Sequence, residues 1–177
     1  MSKAVLISIR PKWCELIASG KKTVEVRKNK PKLETPFMCY IYCTDNKGVH
    51  DLLEIHGKDG KIRRANKTVV GEFVCNDCSL LTKAHYGYIE QQGCIQKEDI
   101  KEYMGVEAGR ELDYTDRCYG WHISDLLIYD KPKPLSEFKS YNCGVVWKDG
   151  YPIPTHEIKR PPQSWCYVRE GGTDEDS

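Results

Sequence analysis

Residues 20–27 have the sequence Gly20-Lys21-Lys22-Thr23-Val24-Glu25-Val26-Arg27. Apolar and polar side chains alternate in its second half, which is typical of a β-strand with one face in a core. Val24 and Val26 fall on one face of this strand. Thr23, Glu25 and Arg27 fall on the other, and together they present a hydroxyl, a carboxylate and a guanidinium. This polar face predicts either a binding or catalytic site or a structural network of ion pairs.

Further elements extend outward from this strand. Residues 5–10 are rich in β-branched side chains and predict a first strand. Pro11 suits the first position of a short amphipathic helix, and Gly20 suits its left-handed C-cap. Residues 69–75 predict a later strand, in which Gly71 marks a bulge or the close approach of another backbone.

The overall pattern predicts an α+β fold. Residues 82–112 favour helices interrupted at Gly93 and Gly105, whereas most other segments favour short strands. An early helix, several strands and this helical insertion predict a small, mostly antiparallel β-barrel. We expect one domain over residues 1–170, with the insertion at about 82–112, and a disordered acidic tail at 171–177.

The composition is typical of a soluble globular protein. The 177 residues are 40% hydrophobic and 30% charged, and no apolar run is long enough to cross a membrane. No secretory signal is evident at the start, and the nine cysteines follow no disulfide framework. These features predict a cytoplasmic protein with reduced thiols, no membrane partner and no cofactor.

Charge is distributed unevenly along the chain. Residues 1–70 contain 15 Lys and Arg against 7 Asp and Glu, although the net charge of the whole chain is only +1. A basic loop at residues 28–32 and a basic hairpin at 58–67 could follow a phosphate backbone. The alternative is an ordinary solvated surface on which the charges of the two halves mix.

The pattern Gly20-x-Lys22-x-x-Glu25-x-Arg27, after a proline-led helix, resembles the signature of the ASCH domain, a member of the PUA-like superfamily. Residues 69–73 and 121–124 are similar to later strands of that family. Residues 160–168 are similar to the ending of ASCH proteins encoded by phages and prophages of Gram-positive bacteria. The resemblance implies a PUA-like barrel with a cleft beside the first helix, which binds RNA or a modified nucleotide.

Five residues form the expected ligand-binding set of this cleft: Lys22, Glu25, Arg27, Trp121 and Ser124. Cations suit a phosphate, and a carboxylate can accept the exocyclic N–H groups of a base. Trp121 is the candidate for stacking on a base. The alternatives are that the charged residues only pin the strand to its neighbours, and that Trp121 only packs in the core.

Enzymatic and interaction roles stay open. Relatives of this family are amidohydrolases that deacetylate acetylcytidine, with a motif resembling Gly-x-Lys-Thr-x-Thr-x-Arg. Lys22 and Thr23 match it, but Glu25 occupies the place of the nucleophilic threonine, and a carboxylate cannot replace an activated hydroxyl there. The catalytic candidates are therefore Lys22, Thr23 and Glu25, or Lys22 and His122 in a ribonuclease. A phage-encoded protein-interaction module is the further alternative.

Cys75 and Cys78 form a CxxC motif. Structural zinc sites take four ligands, commonly from a second such pair, and this sequence contains no second CxxC. The pair is therefore only a weak candidate for a metal site.

Overall fold

The computed structural model describes residues 2–45 and 52–171. Its helices are α1 (Pro11–Ala18), α2 (Tyr86–Gly93) and α3 (Lys97–Met104). Its strands are β1 (Lys3–Ile9), β2 (Val24–Arg27), β3 (Phe37–Cys43), β4 (Glu54–His56), β5 (Ile62–Arg64), β6 (Thr68–Leu81), β7 (Cys118–Pro134), β8 (Lys139–Lys148), β9 (Tyr151–Glu157) and β10 (Trp165–Arg169). Residues 172–177 of the predicted acidic tail lie outside the described residues.

The predicted α+β fold is confirmed, but the predicted closed barrel is wrong. Eight strands form one sheet in the order β2-β7-β6-β3-β1-β10-β8-β9, while β4 and β5 form a separate hairpin. Pairing is mostly antiparallel, with β1 and β3 parallel. A barrel requires its two end strands to pair. Within the described residues, the end strands β2 and β9 do not pair, and the N–H of Thr23 just before β2 bonds to the Gln92 carbonyl of α2 instead of to a strand.

The chain forms two compact units. Of the described residues, the first unit contains 2–14, 38–45, 52–73 and 127–171, and the second contains Glu15–Phe37 and Val74–Leu126. The boundaries fall within α1, β6 and β7 as well as at the start of β3. The single domain expected over residues 1–170 therefore stays a prediction.

The first unit is organised around an apolar cluster of Ala4, Leu6, Tyr40, Tyr42, Val69, Tyr129, Phe138 and Val168. Gly71 of β6 lies against β7, and a Cβ at this position would collide with the carbonyl oxygen of Leu127. The close backbone approach predicted at Gly71 is therefore confirmed. It explains why the strand contains a residue without a side chain.

The second unit packs its helices against β2 and β7. Val26 belongs to an apolar cluster with Leu81, Ile89, Ile100, Leu112 and Cys118. Gly93 closes α2 so near to β2 that an added Cβ would lie 3.3 Å from Cγ2 of Val26. Gly20 has the left-handed backbone expected of it, with φ of 74°. None of the helices in the described residues is long and apolar enough to cross a membrane.

Candidate functional site

The signature residues 20–27 lead into β2, which pairs antiparallel with β7. In this register Glu25 lies opposite Trp121 and Arg27 lies opposite Tyr119. Directly opposed residues share a face of the sheet, so these four side chains lie on the same side. Both faces of β2 are buried, whereas the sequence placed only the valine face in the core.

Three charged side chains converge on this face. Oε2 of Glu25 lies 3.3 Å from Nζ of Lys22, and Oε1 lies 2.9 Å from Nη2 of Arg27. Only 1% of Lys22, 6% of Glu25 and 8% of Arg27 is exposed. A buried carboxylate therefore bridges two buried cations, and the cluster carries one net positive charge. This is the geometry of an ion-pair network, because buried charges persist only when they are paired.

Neighbouring helices hold the network in place. The N–H of Lys22 donates to the carbonyl of Leu16, and its Nζ donates to the carbonyl of Gly93 at 2.6 Å. That carbonyl ends α2, where the helix dipole favours a cation. Thr23 donates its N–H to the carbonyl of Gln92 and its hydroxyl to the side-chain oxygen of the same residue.

These bonds bear on the acetylcytidine-type chemistry considered for Lys22, Thr23 and Glu25. A nucleophilic hydroxyl requires an adjacent general base. The hydroxyl of Thr23 instead donates to an amide oxygen, and both oxygens of Glu25 are held by cations. The arrangement therefore lacks the activated hydroxyl on which that reaction depends.

Trp121 and Ser124 do not line an open site with the charged residues. Trp121 is fully buried and packs edge-on against Phe37, with ring centroids 5.9 Å apart. Its ring presents no face on which a base could stack. Ser124 donates its hydroxyl to the carbonyl of Val74 at 2.9 Å. Of the five expected ligand-binding residues, three thus meet in one network, and the other two are held in packing or backbone contacts.

A group of exposed and partly exposed residues lies at the end of β2, which we call the β2 rim: Lys28, Lys30, Tyr103 and Tyr119. Nζ of Lys28 lies 5.3 Å from the ring centroid of Tyr103, and Nζ of Lys30 lies 5.7 Å from that of Tyr119. The N–H of Lys28 also donates to the Tyr103 hydroxyl. Burial raises the pKa of that hydroxyl, although Arg27 opposes the shift. Sequence reasoning identified the lysines but missed both tyrosines.

A second polar cluster contains Asp77, Ser79, Tyr88 and His122. Nε2 of His122 lies 3.0 Å from the hydroxyl of Ser79, which donates to the Asp77 carboxylate. Because the Ser79 proton is used in that bond, Nε2 must be the donor to Ser79. The Tyr88 hydroxyl lies 3.4 Å from Nδ1 and 3.5 Å from Nε2 of His122. The four residues thus form one connected cluster of hydrogen bonds that runs between Tyr88 and Asp77.

The two cysteines of the CxxC motif are close together. Their sulfur atoms lie 3.5 Å apart, and the bond with Cys75 lowers the pKa of the Cys78 thiol, an effect that Lys30 reinforces. Within residues 2–45 and 52–171, no group of three or more His, Cys, Asp or Glu side chains has the arrangement of a metal site. The described residues therefore supply no third ligand to Cys75 and Cys78, and the pair remains a weak candidate for a metal site.

Comparisons with known proteins agree with the fold. The family model for the ASCH domain matches residues 7–133. A crystal structure of ASCH from Zymomonas mobilis has a TM-score of 0.55 at 16% identity, covering 96% of this chain and 90% of that chain. The structure of a serine-to-alanine mutant of the same protein has a TM-score of 0.54 at 17% identity and covers 96% of this chain and 90% of that chain. The structure of a tyrosine-to-phenylalanine mutant has a TM-score of 0.54 at 18% identity and covers 97% of this chain and 94% of that chain. No curated protein matches the chain.

Proposed function

The chain belongs to the ASCH domain family, and on that premise we propose that it binds single-stranded RNA or a modified nucleotide at the β2 rim. The family has a PUA-like fold, which is often linked to RNA binding. Fold alone is a weak guide to function, so the proposal depends on the residues of the rim.

The observation that supports the proposal is the pairing of each rim lysine with a tyrosine ring. Lysines neutralise phosphates, and aromatic rings stack on bases of any sequence. In the part of the chain that the structure describes, neither Lys28 nor Lys30 forms an ion pair with a carboxylate. Both ammonium groups therefore remain available to a phosphate.

The buried network supports the rim in this proposal. We place the ligand at the rim and not in a cleft beside α1, because Lys22, which would line such a cleft, is almost fully buried. Arg27 directly precedes Lys28, so the Lys22–Glu25–Arg27 network fixes the strand end from which the rim lysines project. Its net positive charge also favours a nearby anion.

Replacing Lys28 and Lys30 together by alanine is expected to weaken binding of a labelled RNA of about 12 nucleotides by roughly ten-fold or more. The slope of log affinity against log salt concentration should also decrease by about 0.7 for each phosphate that is no longer neutralised. Fluorescence anisotropy at several salt concentrations measures both quantities. The matched control replaces Lys148 and Lys159, which are exposed and lie outside the basic segments 28–32 and 58–67, and should bind as the wild type does. Equally weakened binding in the two variants, or affinity that is independent of salt, would contradict the proposal.

A nucleic-acid-processing hydrolase is the second candidate, and the Tyr88–His122–Ser79–Asp77 chain favours it. A partly exposed histidine held between a hydroxyl and a carboxylate-bound serine can transfer protons as a general acid or base. If the protein cleaves RNA, His122→Ala is expected to lower the rate by about 10²-fold or more. Gel analysis of labelled RNA measures this, with His56→Ala as the control. RNA that the wild type leaves intact would exclude a ribonuclease and leave the binding proposal standing.

A further inference from the structure

A second surface with aromatic and basic side chains lies in the first unit. We call it the aromatic–basic face: Lys3, Lys139, Tyr141, Trp165, Tyr167 and Arg169. Lys3 of β1 pairs with Arg169 of β10, and Ile7 pairs with Trp165. Ser140 of β8 pairs with Val168 of β10, so these two side chains share one side of the sheet. Side chains alternate along a strand, so Lys139 and Tyr141 lie on the other side, together with Tyr167 and Arg169. All six residues lie outside the span matched by the family model, residues 7–133.

Aromatic rings and a cation contact one another on this face. Nζ of Lys3 lies between two rings, 4.3 Å from the centroid of Tyr141 and 5.1 Å from that of Tyr167. Tyr167 also packs edge-on against Trp165, with centroids 5.3 Å apart. Tyr141 is 37% exposed, and the other two rings are partly exposed. Such a surface can offer ring faces to bases and ammonium groups to the phosphates between them.

The face continues into a groove with a volume of about 690 Å³, to which Lys139, His156, Glu157 and Arg169 contribute. His156 Nδ1 lies 2.9 Å from the carbonyl of Ser140, which can only accept, so Nδ1 carries a proton. Within the described residues, no carboxylate forms an ion pair with Lys3, Lys139 or Arg169. Glu157 supplies one negative charge, so the groove and face together retain a positive excess.

We propose that the aromatic–basic face and its groove form a second binding surface for single-stranded RNA. Bases stack on Tyr141 and Tyr167, and the backbone phosphates contact Lys139 and Arg169. The inference rests on the proposed function for its class of ligand, but it concerns different residues in a different unit. An acidic peptide would satisfy the cations but would make no use of the exposed ring of Tyr141, so the presence of both favours a nucleic acid.

The test compares two matched double variants for binding of a labelled single-stranded RNA of about 12 nucleotides. Tyr141→Ala with Lys139→Gln should bind about ten-fold more weakly, because the variant lacks one stacking ring and one cation for a phosphate. Tyr151→Ala with Lys148→Gln removes the same residue types from the tip of the β8–β9 hairpin and should bind as the wild type does. Circular dichroism confirms that each variant is folded.

Photocrosslinking with 4-thiouridine RNA separates this inference from the proposed function. The face variant is Tyr141→Ala with Lys139→Gln. Crosslinks at Tyr141 or Tyr167 would support the second surface if they are lost in the face variant and kept when Lys28 and Lys30 are replaced. Crosslinks at Tyr103 or Tyr119 alone, with unchanged affinity of the face variant, would overturn the inference and leave the β2 rim standing. Equally weakened binding in the face variant and the hairpin-tip control would overturn it. So would tighter binding of an acidic peptide than of RNA at the face.

Discussion

Glu25→Gln is expected to lower the free energy of unfolding by about 3–5 kcal/mol, which is the usual cost of breaking a buried ion pair by removing one partner. The carboxylate bridges Nζ of Lys22 and Nη2 of Arg27 at 3.3 and 2.9 Å, and all three side chains are buried. The neutral amide would leave two like charges close together without the group that neutralises them. The shape of the side chain is nearly unchanged, so the effect reports the charge.

Urea denaturation followed by circular dichroism measures this decrease in stability. Glu34→Gln, an exposed carboxylate in the loop after β2, is the control and should change the free energy of unfolding by less than about 0.5 kcal/mol. If Glu25→Gln instead left stability near that of the wild type while abolishing RNA binding, the network would be a direct ligand site. That result would contradict the supporting role proposed for it.

Trp121→Ala is expected to lower the free energy of unfolding by about 3–5 kcal/mol, because apolar burial is removed and a cavity remains. The indole is fully buried and contacts Phe37 edge-on. A stacking residue on an open surface would behave differently, because its removal would weaken RNA binding and leave the fold intact. The two roles of Trp121 considered from the sequence are thereby distinguished.

Trp147→Ala supplies the matched control for this experiment. Trp147 lies on the β8–β9 hairpin and is 74% exposed, so its replacement should change stability by less than about 0.5 kcal/mol. Thermal melts and urea titrations of the two variants give the comparison. Similar stabilities for Trp121→Ala and the wild type would show that the indole contributes little to packing.

Local pattern was enough to predict several features of this fold. The alternation of apolar and polar side chains predicted strand β2. Gly71 predicted the close approach of another backbone, which is that of Leu127 in β7. Both features depend on the residue itself and its neighbours in sequence. The barrel prediction failed because strand patterns do not determine whether the end strands of a sheet meet, and in this sheet they are β2 and β9.

The surroundings of the site could not be predicted because they depend on distant parts of the chain. The carbonyl that receives the Lys22 ammonium is 71 residues away, and the hydroxyl beside the Lys28 backbone is 75 residues away. No periodicity within β2 could identify Gly93 or Tyr103 as these partners. Strand pairing likewise places Trp121 opposite Glu25 and buries it, although its flanking residues gave no signal for this.

The bond from Lys22 to Gly93 has a consequence for helix α2. The motif and the end of α2 stabilise each other. The Lys22 ammonium donates to the Gly93 carbonyl at the helix end, and this carbonyl in turn provides a partner for the buried charge. Thr23 and Gln92 add two more bonds at the same junction. A chain shortened by removal of α2 would therefore bury an ammonium group with one partner fewer. Helix α2 is therefore a structural component of the motif.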